Sequence, residues 1–266
     1  MAQAEIGVIG GSGFYDFLDE AEQVLVETPF GPPSEPLTVG TVSGRRVAFV
    51  PRHGRDHRFP PHRIPYRANL WALRAVGVRQ ILAPCAVGGL QPRFGPGALV
   101  VPDQLVDRTN GRAQTFHDEG AVHVPFADPY CPTGRDVVAR LGVAAAWPLT
   151  AAGTMVVIDG PRFSTRAESQ AYSRAGWDVV NMTGAPEAAL ARELAVCYTA
   201  IALVTDLDAG VEAGDAVTAQ DVFRVFADNI GRLRALLGEA VAALPADRDC
   251  LCSHALDGLD VRLELP

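Results

Sequence analysis

Apolar positions along this chain fall into short runs separated by turn residues, and two such runs frame its most informative stretch. Residues 177–208 read WDVVNMTGAPEAALARELAVCYTAIALVTDLD. An apolar run over 177–182 ends in Thr183-Gly184, and a helical pattern over 185–194 carries Pro186 in its first turn. A second apolar run, 199–204, stops at Thr205-Asp206-Leu207-Asp208. Short buried runs on either side of a helix predict a βαβ unit with parallel strands. In open α/β sheets, ligands bind beyond the carboxyl ends of the strands. Here those ends are polar: Asn181, Met182 and Thr183 on one, Thr205, Asp206 and Asp208 on the other. They are candidate site residues.

The remaining pattern repeats this alternation. EIGVIGGSG, over 5–13, reads as a strand and a glycine-rich turn. A dinucleotide fingerprint needs G-x-G-x-x-G opening a helix, and this stretch lacks the last glycine. Its glycines and the Ser12 hydroxyl suit either a tight turn or a backbone nest for phosphate. A proline- and glycine-rich loop over 28–36 leads to a hairpin, strands 39–42 and 46–50 turning at Ser43-Gly44. A helix over 66–76 ends at Gly77, a C′ residue. A short strand over 80–84 then runs into a small-residue turn, 85–90, and a strand follows at 99–101. Residues 108–132 show no period, and a loop of that length in a compact domain is functional or lies in an interface. A helix over 134–141 has Thr133 as its expected N-cap. A strand over 154–158, a helix over 165–175 and a long amphipathic helix over 218–244 complete the pattern; the tail beyond Pro245 shows none. With no internal repeat and no composition break, residues 1–266 are expected to form one α/β domain.

Composition narrows the function classes. Apolar residues make up 48% and charged residues 20%, the profile of a well-buried core. A formal charge of −8 argues against nucleic-acid binding, which calls for a basic surface. No apolar run is long enough to span a membrane and the N-terminus lacks a signal-peptide pattern, so a cytoplasmic protein is expected. The five cysteines, Cys85, Cys131, Cys197, Cys250 and Cys252, show no metal-ligand spacing. Cys85 and Cys197 sit in apolar runs as core thiols, and Cys250-Leu-Cys252 reads as a chance pair rather than a redox motif.

One segment stands out against the acidic total. Residues 52–63 hold three histidines and four arginines directly after a strand. Glycine and prolines interrupt His53 and His57, so a helical metal-binding pair is not expected. An anion site from Arg52 and His53 fits better, because guanidinium donors match phosphate oxygens. The strand ends thus collect Ser12, Arg52, His53, Cys85, Ala86, Phe163, Ser164, the Asn181–Thr183 run, Asp206 and Asp208. They supply no metal set, no G-x-S-x-G elbow and no P-loop. An anion pocket beside an apolar, carboxylate-tipped pocket suits a reaction between phosphate and a planar group carrying N–H donors.

Several ordered motifs, IGVIGGSG, PRHGRDH, GPRFSTRAES and NMTGAPEAALARE, resemble the trimeric purine nucleoside phosphorylase family, and VTDLD resembles its methylthioadenosine phosphorylase branch. The resemblance implies a central mixed, partly barrel-like sheet flanked by helices, a homotrimer, inorganic phosphate as co-substrate and no cofactor or metal. It implies phosphate on Ser12, Arg52, His53, the Ala86 backbone and Thr183, with Cys85 at a position where the branch carries threonine. Met182 is implied at the ribose, beside Asn181, and Phe163 against the purine. Asp206 and Asp208 are implied at N7 and the 6-amino group. His57 would lie close to the nucleoside, His123 would reach into a neighbouring subunit's 5′ pocket, and Val217, Val222 and Phe223 would line that pocket.

The chemistry follows from the residue types. Breaking an N-glycosidic bond builds an oxocarbenium-like centre that bound phosphate stabilises and then attacks. The purine leaves readily once N7 is protonated, and burial together with Asp208 suits Asp206 to that task. A 6-amino group needs acceptors, whereas a 6-oxo group needs a donor. The 6-oxopurine-specific relatives have asparagine at Asp206 and glutamate at Ser164, so adenine is favoured here. The apolar 5′ wall favours a methylthio group. The alternatives are a 6-oxopurine or methylthioinosine phosphorylase, or a catalytically silent nucleotide sensor on the same scaffold.

Overall fold

The computed structural model describes residues 3–11, 14, 18–209, 211 and 217–266. Among these residues, eleven strands form one mixed sheet: β1 Ile6–Gly10, β2 Asp19–Val24, β3 Leu37–Val42, β4 Arg45–Pro51, β5 Gln80–Gly89, β6 Leu99–Val100, β7 Gln104–Asp107, β8 Leu149–Thr150, β9 Thr154–Val157, β10 Val179–Asn181 and β11 Cys197–Leu207. Five α-helices among the same residues surround it: α1 Tyr66–Ala75, α2 Pro132–Ala144, α3 Arg166–Arg174, α4 Gly184–Glu193 and α5 Ala219–Ala243. The expected α/β class with a mixed sheet is what the chain adopts.

The branch point is β5. One of its edges carries β1 in parallel along 80–82 and then β10, antiparallel, at Gly88 and Gly89. Its other edge carries β11 in parallel along nearly its full length. This corrects the parallel βαβ expected for 177–208. The two runs and their helix are present, but β10 and β11 lie on opposite edges of β5 and run in opposite directions. A helix between two runs fixes that they are separated, not that they are neighbours.

Residues 85–90 also depart from expectation, since most of this stretch continues β5 instead of turning. Its small residues answer to crowding. A Cβ on Gly88 would stand 3.0 Å from Val180 and 3.1 Å from an Asp206 carboxylate oxygen, and one on Gly89 would stand 2.7 Å from the Phe94 carbonyl.

Strict alternation buries both faces of the central strands. Ile6, Val8, Val47, Phe49, Leu82, Ile201 and Leu203 face one core, against Val137 and Val138 of α2 and Leu233, Leu236 and Leu237 of α5. The intervening residues Ile9, Ala48, Val50, Ile81, Ala83, Tyr198 and Ala200 face the other, against Leu70 and Leu73 of α1 and Leu190 and Ala191 of α4. A strand with period-2 side chains and helices on both faces reads as a continuous apolar run, which is how these strands appear in sequence.

Local signals fare unevenly. The hairpin turns at Ser43 (φ 50°) and Gly44 (φ 77°), the twist-matched pair that a two-residue loop needs. Thr165 caps α3 in a capping box with Glu168, and Thr218 caps α5. Thr133, by contrast, lies within α2, which starts at Pro132 behind Cys131. Proline at the first helical position outweighs the threonine one residue later. Among the described residues, no helix is long and apolar enough to cross a membrane.

Candidate active site

A cavity of about 280 Å³ opens where β10, β5 and β11 meet. Arg52, His53, His57, Cys85, Ala86, Phe163, Ser164, Asn181, Met182, Thr183, Asp206, Asp208, Val222 and Phe223 all line it. Ser12 lies outside the described residues. Val217 is half-buried and His123 exposed, both away from the cavity wall.

At one end stands the carboxylate pair. Between Val204 and Asp206 the pairing of β11 with β5 slips by one residue, leaving Thr205 as a bulge. A bulge re-aims the side chains beyond it. Thr205 braces the result, its hydroxyl donating to the Asp206 carboxylate at 2.8 Å. Burial lifts the Asp206 pKa to about 6; the Asp208 and Asp221 charges add to the rise, and the Thr205 hydroxyl opposes it. Asp208 is buried and its pKa is raised too, chiefly by burial. Its Oδ2 has no hydrogen-bond partner. The Ser164 and Ser169 hydroxyls favour its charged form from nearby, yet neither completes a hydrogen bond. A buried acceptor without a donor is costly, and a ligand N–H would satisfy it.

At the other end lies Arg52, 3% exposed. Its Nε and Nη2 donate to the two oxygens of Glu187, at 2.6 and 3.0 Å, and Glu187 itself is 1% exposed. The guanidinium also donates to the Ile9 and Pro84 carbonyls. Arg52 therefore meets a ligand as a largely neutralised, rigid edge, not as a free cation. His53 is neutral near pH 7, because burial holds its pKa down at about 4, with Arg52 and His57 adding to the depression. Its Nδ1 lies 2.9 Å from the Phe59 carbonyl, which can only accept. Nδ1 must then carry the proton, leaving any free Nε2 an acceptor. The His57 ring stacks on it, centroids 5.3 Å apart. Burial pushes the Cys85 thiol up to about 12, so the sulfur stays protonated.

Asn181 is a framework residue. Its Oδ1 accepts from the Thr183 and Gly184 amides, both at 2.7 Å, and its Nδ2 donates to the Ala86 carbonyl at 3.1 Å. It thereby ties the start of α4 to β5.

Two residues escaped the sequence reading. Arg112, from the long irregular loop, donates to the carbonyls of Met182, Ala185, Ile158 and Asp159 and to the Tyr66 hydroxyl. It thus holds Met182 from behind. Glu187 looked like an ordinary helix residue; only its partner across the fold marks it out. Gly160 gives the Met182 side chain its room. It sits at φ 61°, and a Cβ there would lie 2.4 Å from the Met182 sulfur.

The chain matches the model of the phosphorylase superfamily over residues 5–242. It is 59% identical to a purine nucleoside phosphorylase from Streptomyces coelicolor, covering 99% of this chain and 98% of that protein. It is 57% identical to an S-methyl-5′-thioadenosine phosphorylase from Mycolicibacterium smegmatis, covering 98% and 99%. It also superposes on a Schistosoma mansoni methylthioadenosine phosphorylase bound to adenine with a TM-score of 0.88, at 37% identity, covering 92% and 93% of the two chains.

The buried ion pair and the raised Asp206 pKa each predict a change in stability. Replacing Glu187 with alanine leaves a buried guanidinium unpaired and should cost about 3–5 kcal/mol in urea unfolding. Asp206, whose folded pKa lies above its unfolded value, binds its proton more tightly when folded, so stability falls as pH rises through about 4–6. Asp206→Asn should flatten that slope and stabilise the fold at pH 7 by on the order of 1–2 kcal/mol. Denaturation midpoints measured across that pH range check both claims; a slope unchanged in the variant refutes the second.

Proposed function

The chain belongs to the phosphorylase superfamily, and from that premise we propose that it cleaves S-methyl-5′-thioadenosine with inorganic phosphate, releasing adenine and 5-methylthioribose 1-phosphate. The observation that carries this reading is Asp206, a carboxyl with a pKa near 6, standing beside the unsatisfied Asp208 oxygen in one cavity with Arg52 and Thr183. An acid titrating near the working pH is suited to deliver a proton in the transition state.

In this reading phosphate occupies the end formed by Arg52, His53, Cys85, the Ala86 backbone and Thr183, with Ser12 completing the cradle. Neutral His53 accepts the phosphate's own O–H, which leaves the remaining oxygens charged toward the sugar. Met182 packs on the ribose and Phe163 on the purine. The C1′–N9 bond breaks and its electron pair moves onto the purine. Asp206 gives its proton to N7, and a phosphate oxygen closes the new bond to C1′ on the opposite face. The 6-amino group donates to Asp208, and Ser164 supports that carboxylate. Val222 and the Phe223 ring, 58% exposed at the rim, line the 5′ side. In a homotrimer, His123 of the exposed loop enters a neighbour's 5′ pocket. The role is purine and methionine salvage in the cytoplasm, with no cofactor beyond phosphate.

The similarity to the Streptomyces coelicolor purine nucleoside phosphorylase keeps a 6-oxopurine substrate as the second reading. Against it stands the carboxyl pair: a 6-oxo group would leave the Asp208 acceptor mispaired at a cost of about 1–3 kcal/mol.

Adenine release from methylthioadenosine should depend strictly on phosphate and exceed hypoxanthine release from inosine. No adenine release from any of several nucleosides would refute the proposal. Asp206→Asn should slow adenine release by about 10²–10³-fold and shift the preference toward 6-oxopurines. Cys85→Thr restores a hydroxyl donor beside phosphate and should lower its KM by roughly 3–10-fold, the worth of one neutral hydrogen bond. Phosphate titrations of the variant decide that point.

A further inference from the structure

Four of the five cysteines, far apart in sequence, meet in the fold. Cys131 precedes α2 at the end of the long irregular loop, Cys197 opens β11, and Cys250 and Cys252 lie in the C-terminal segment beyond α5. All four are buried free thiols, and their sulfurs lie within 4.8 Å of one another. They form a packed cluster of their own. Cys85 and Cys197 are buried thiols as expected, but Cys250-Leu-Cys252 is not the chance pair expected, since both sulfurs meet those of Cys131 and Cys197. From these four sulfurs we propose a structural zinc site that fastens the C-terminal segment to the base of the sheet.

Three observations support it. First, the spacing suits one ion. Four sulfurs about 2.3 Å from a zinc stand about 3.8 Å apart in a tetrahedron. Here Cys250 lies 3.8 Å from Cys131 and 3.3 Å from Cys197. A disulfide engages one partner, whereas Cys250 approaches two. Second, the surroundings suit thiolate. Arg192 directs an N–H at the Cys252 sulfur and Arg248 one at Cys197, each at 3.9 Å. Four thiolates around a divalent cation carry a net charge of −2, and two guanidiniums offset it. Such outer partners orient and tune metal ligands. Third, the ligand type selects the ion: a closed, buried, all-sulfur tetrahedron is a structural zinc set, with no open position for substrate.

The location agrees with a structural role. Cys197 begins β11 and Asp206 nears its end, roughly 25–30 Å away along an extended strand. The same guanidiniums carry the fastening outward. Arg192 donates to the Pro125 and Asp128 carbonyls of the long loop, and Arg248 to the Arg79 and Ala195 carbonyls at the sheet's base.

The test uses full-length protein, made without a metal-affinity tag, reduced, exposed to zinc and then dialysed. Inductively coupled plasma mass spectrometry should find about one zinc per chain. Cys250→Ser and Cys252→Ser should each lose that zinc and lower the thermal midpoint by about 5 °C or more. Cys85→Ser should keep the stoichiometry. Should the serine variants not fold, cobalt(II) exchanged into the unaltered protein gives an independent reading, the intense visible bands of a tetrahedral tetrathiolate. Reduced protein that binds no zinc overturns the proposal, whether its thiols titrate free or close into disulfides on reoxidation. Iron in place of zinc overturns the choice of ion.

Discussion

The Arg52–Glu187 ion pair lies where five elements converge. Arg52 follows β4, its guanidinium reaches carbonyls of β1 and β5, Glu187 belongs to α4, and the Tyr198 hydroxyl of β11 donates to the same carboxylate at 2.7 Å. Burying two charges is expensive, and a pair of this kind holds only when nearly every donor and acceptor is matched. Here the Glu187 oxygens take three hydrogen bonds between them. That requirement fixes where α4 begins relative to β5, and the start of α4 carries Thr183 and Met182. The cavity wall that carries Met182 and Thr183 is set by charge pairing beneath it.

This pair also changes how the anion end must work. A cluster of arginines and histidines in an acidic chain suggests a strong positive field, but the field is mostly spent inside the protein. Arg52 is neutralised by Glu187, and His53 is uncharged near neutral pH. In the proposed reading, what remains for phosphate is directional contact with the edge of Arg52 and with Thr183. Weak net charge with well-placed donors suits a co-substrate that must arrive, react and leave as a sugar ester. Full cationic charge would hold the anion without favouring its transition state.

Much of the site was legible because its chemistry sits at strand ends marked by abrupt changes of polarity. Asp206, Asp208, Asn181 and Thr183 were found that way, and all four line the cavity. Strand partners were not legible. Period-2 runs identify β10 and β11 yet say nothing of β5 standing between them, and small residues at 85–90 look alike whether the chain turns or merely passes close to a neighbour. Long-range pairing hid the rest. Arg112 sits in a stretch without period, Glu187 on an ordinary helix face, and the cysteines at 131, 197 and 250–252 carry no spacing that a local motif could reveal. What joins these residues is contact across the fold, which no window of sequence contains.

The bulge at Thr205 shows how the two kinds of constraint meet. Up to Val204 the even-numbered residues of β11 face the α1–α4 core, and an unbroken ladder would continue that alternation through 206 and 208. Two carboxylates would then be committed to a face otherwise filled by apolar side chains. One inserted residue breaks the parity, and the freed Thr205 hydroxyl bonds both the Val87 carbonyl and the Asp206 carboxylate. The same strand therefore serves as a core element for most of its length and carries two cavity-lining carboxyls at its tip. Asp206 stays buried enough for its pKa to rise to about 6, yet it borders the cavity.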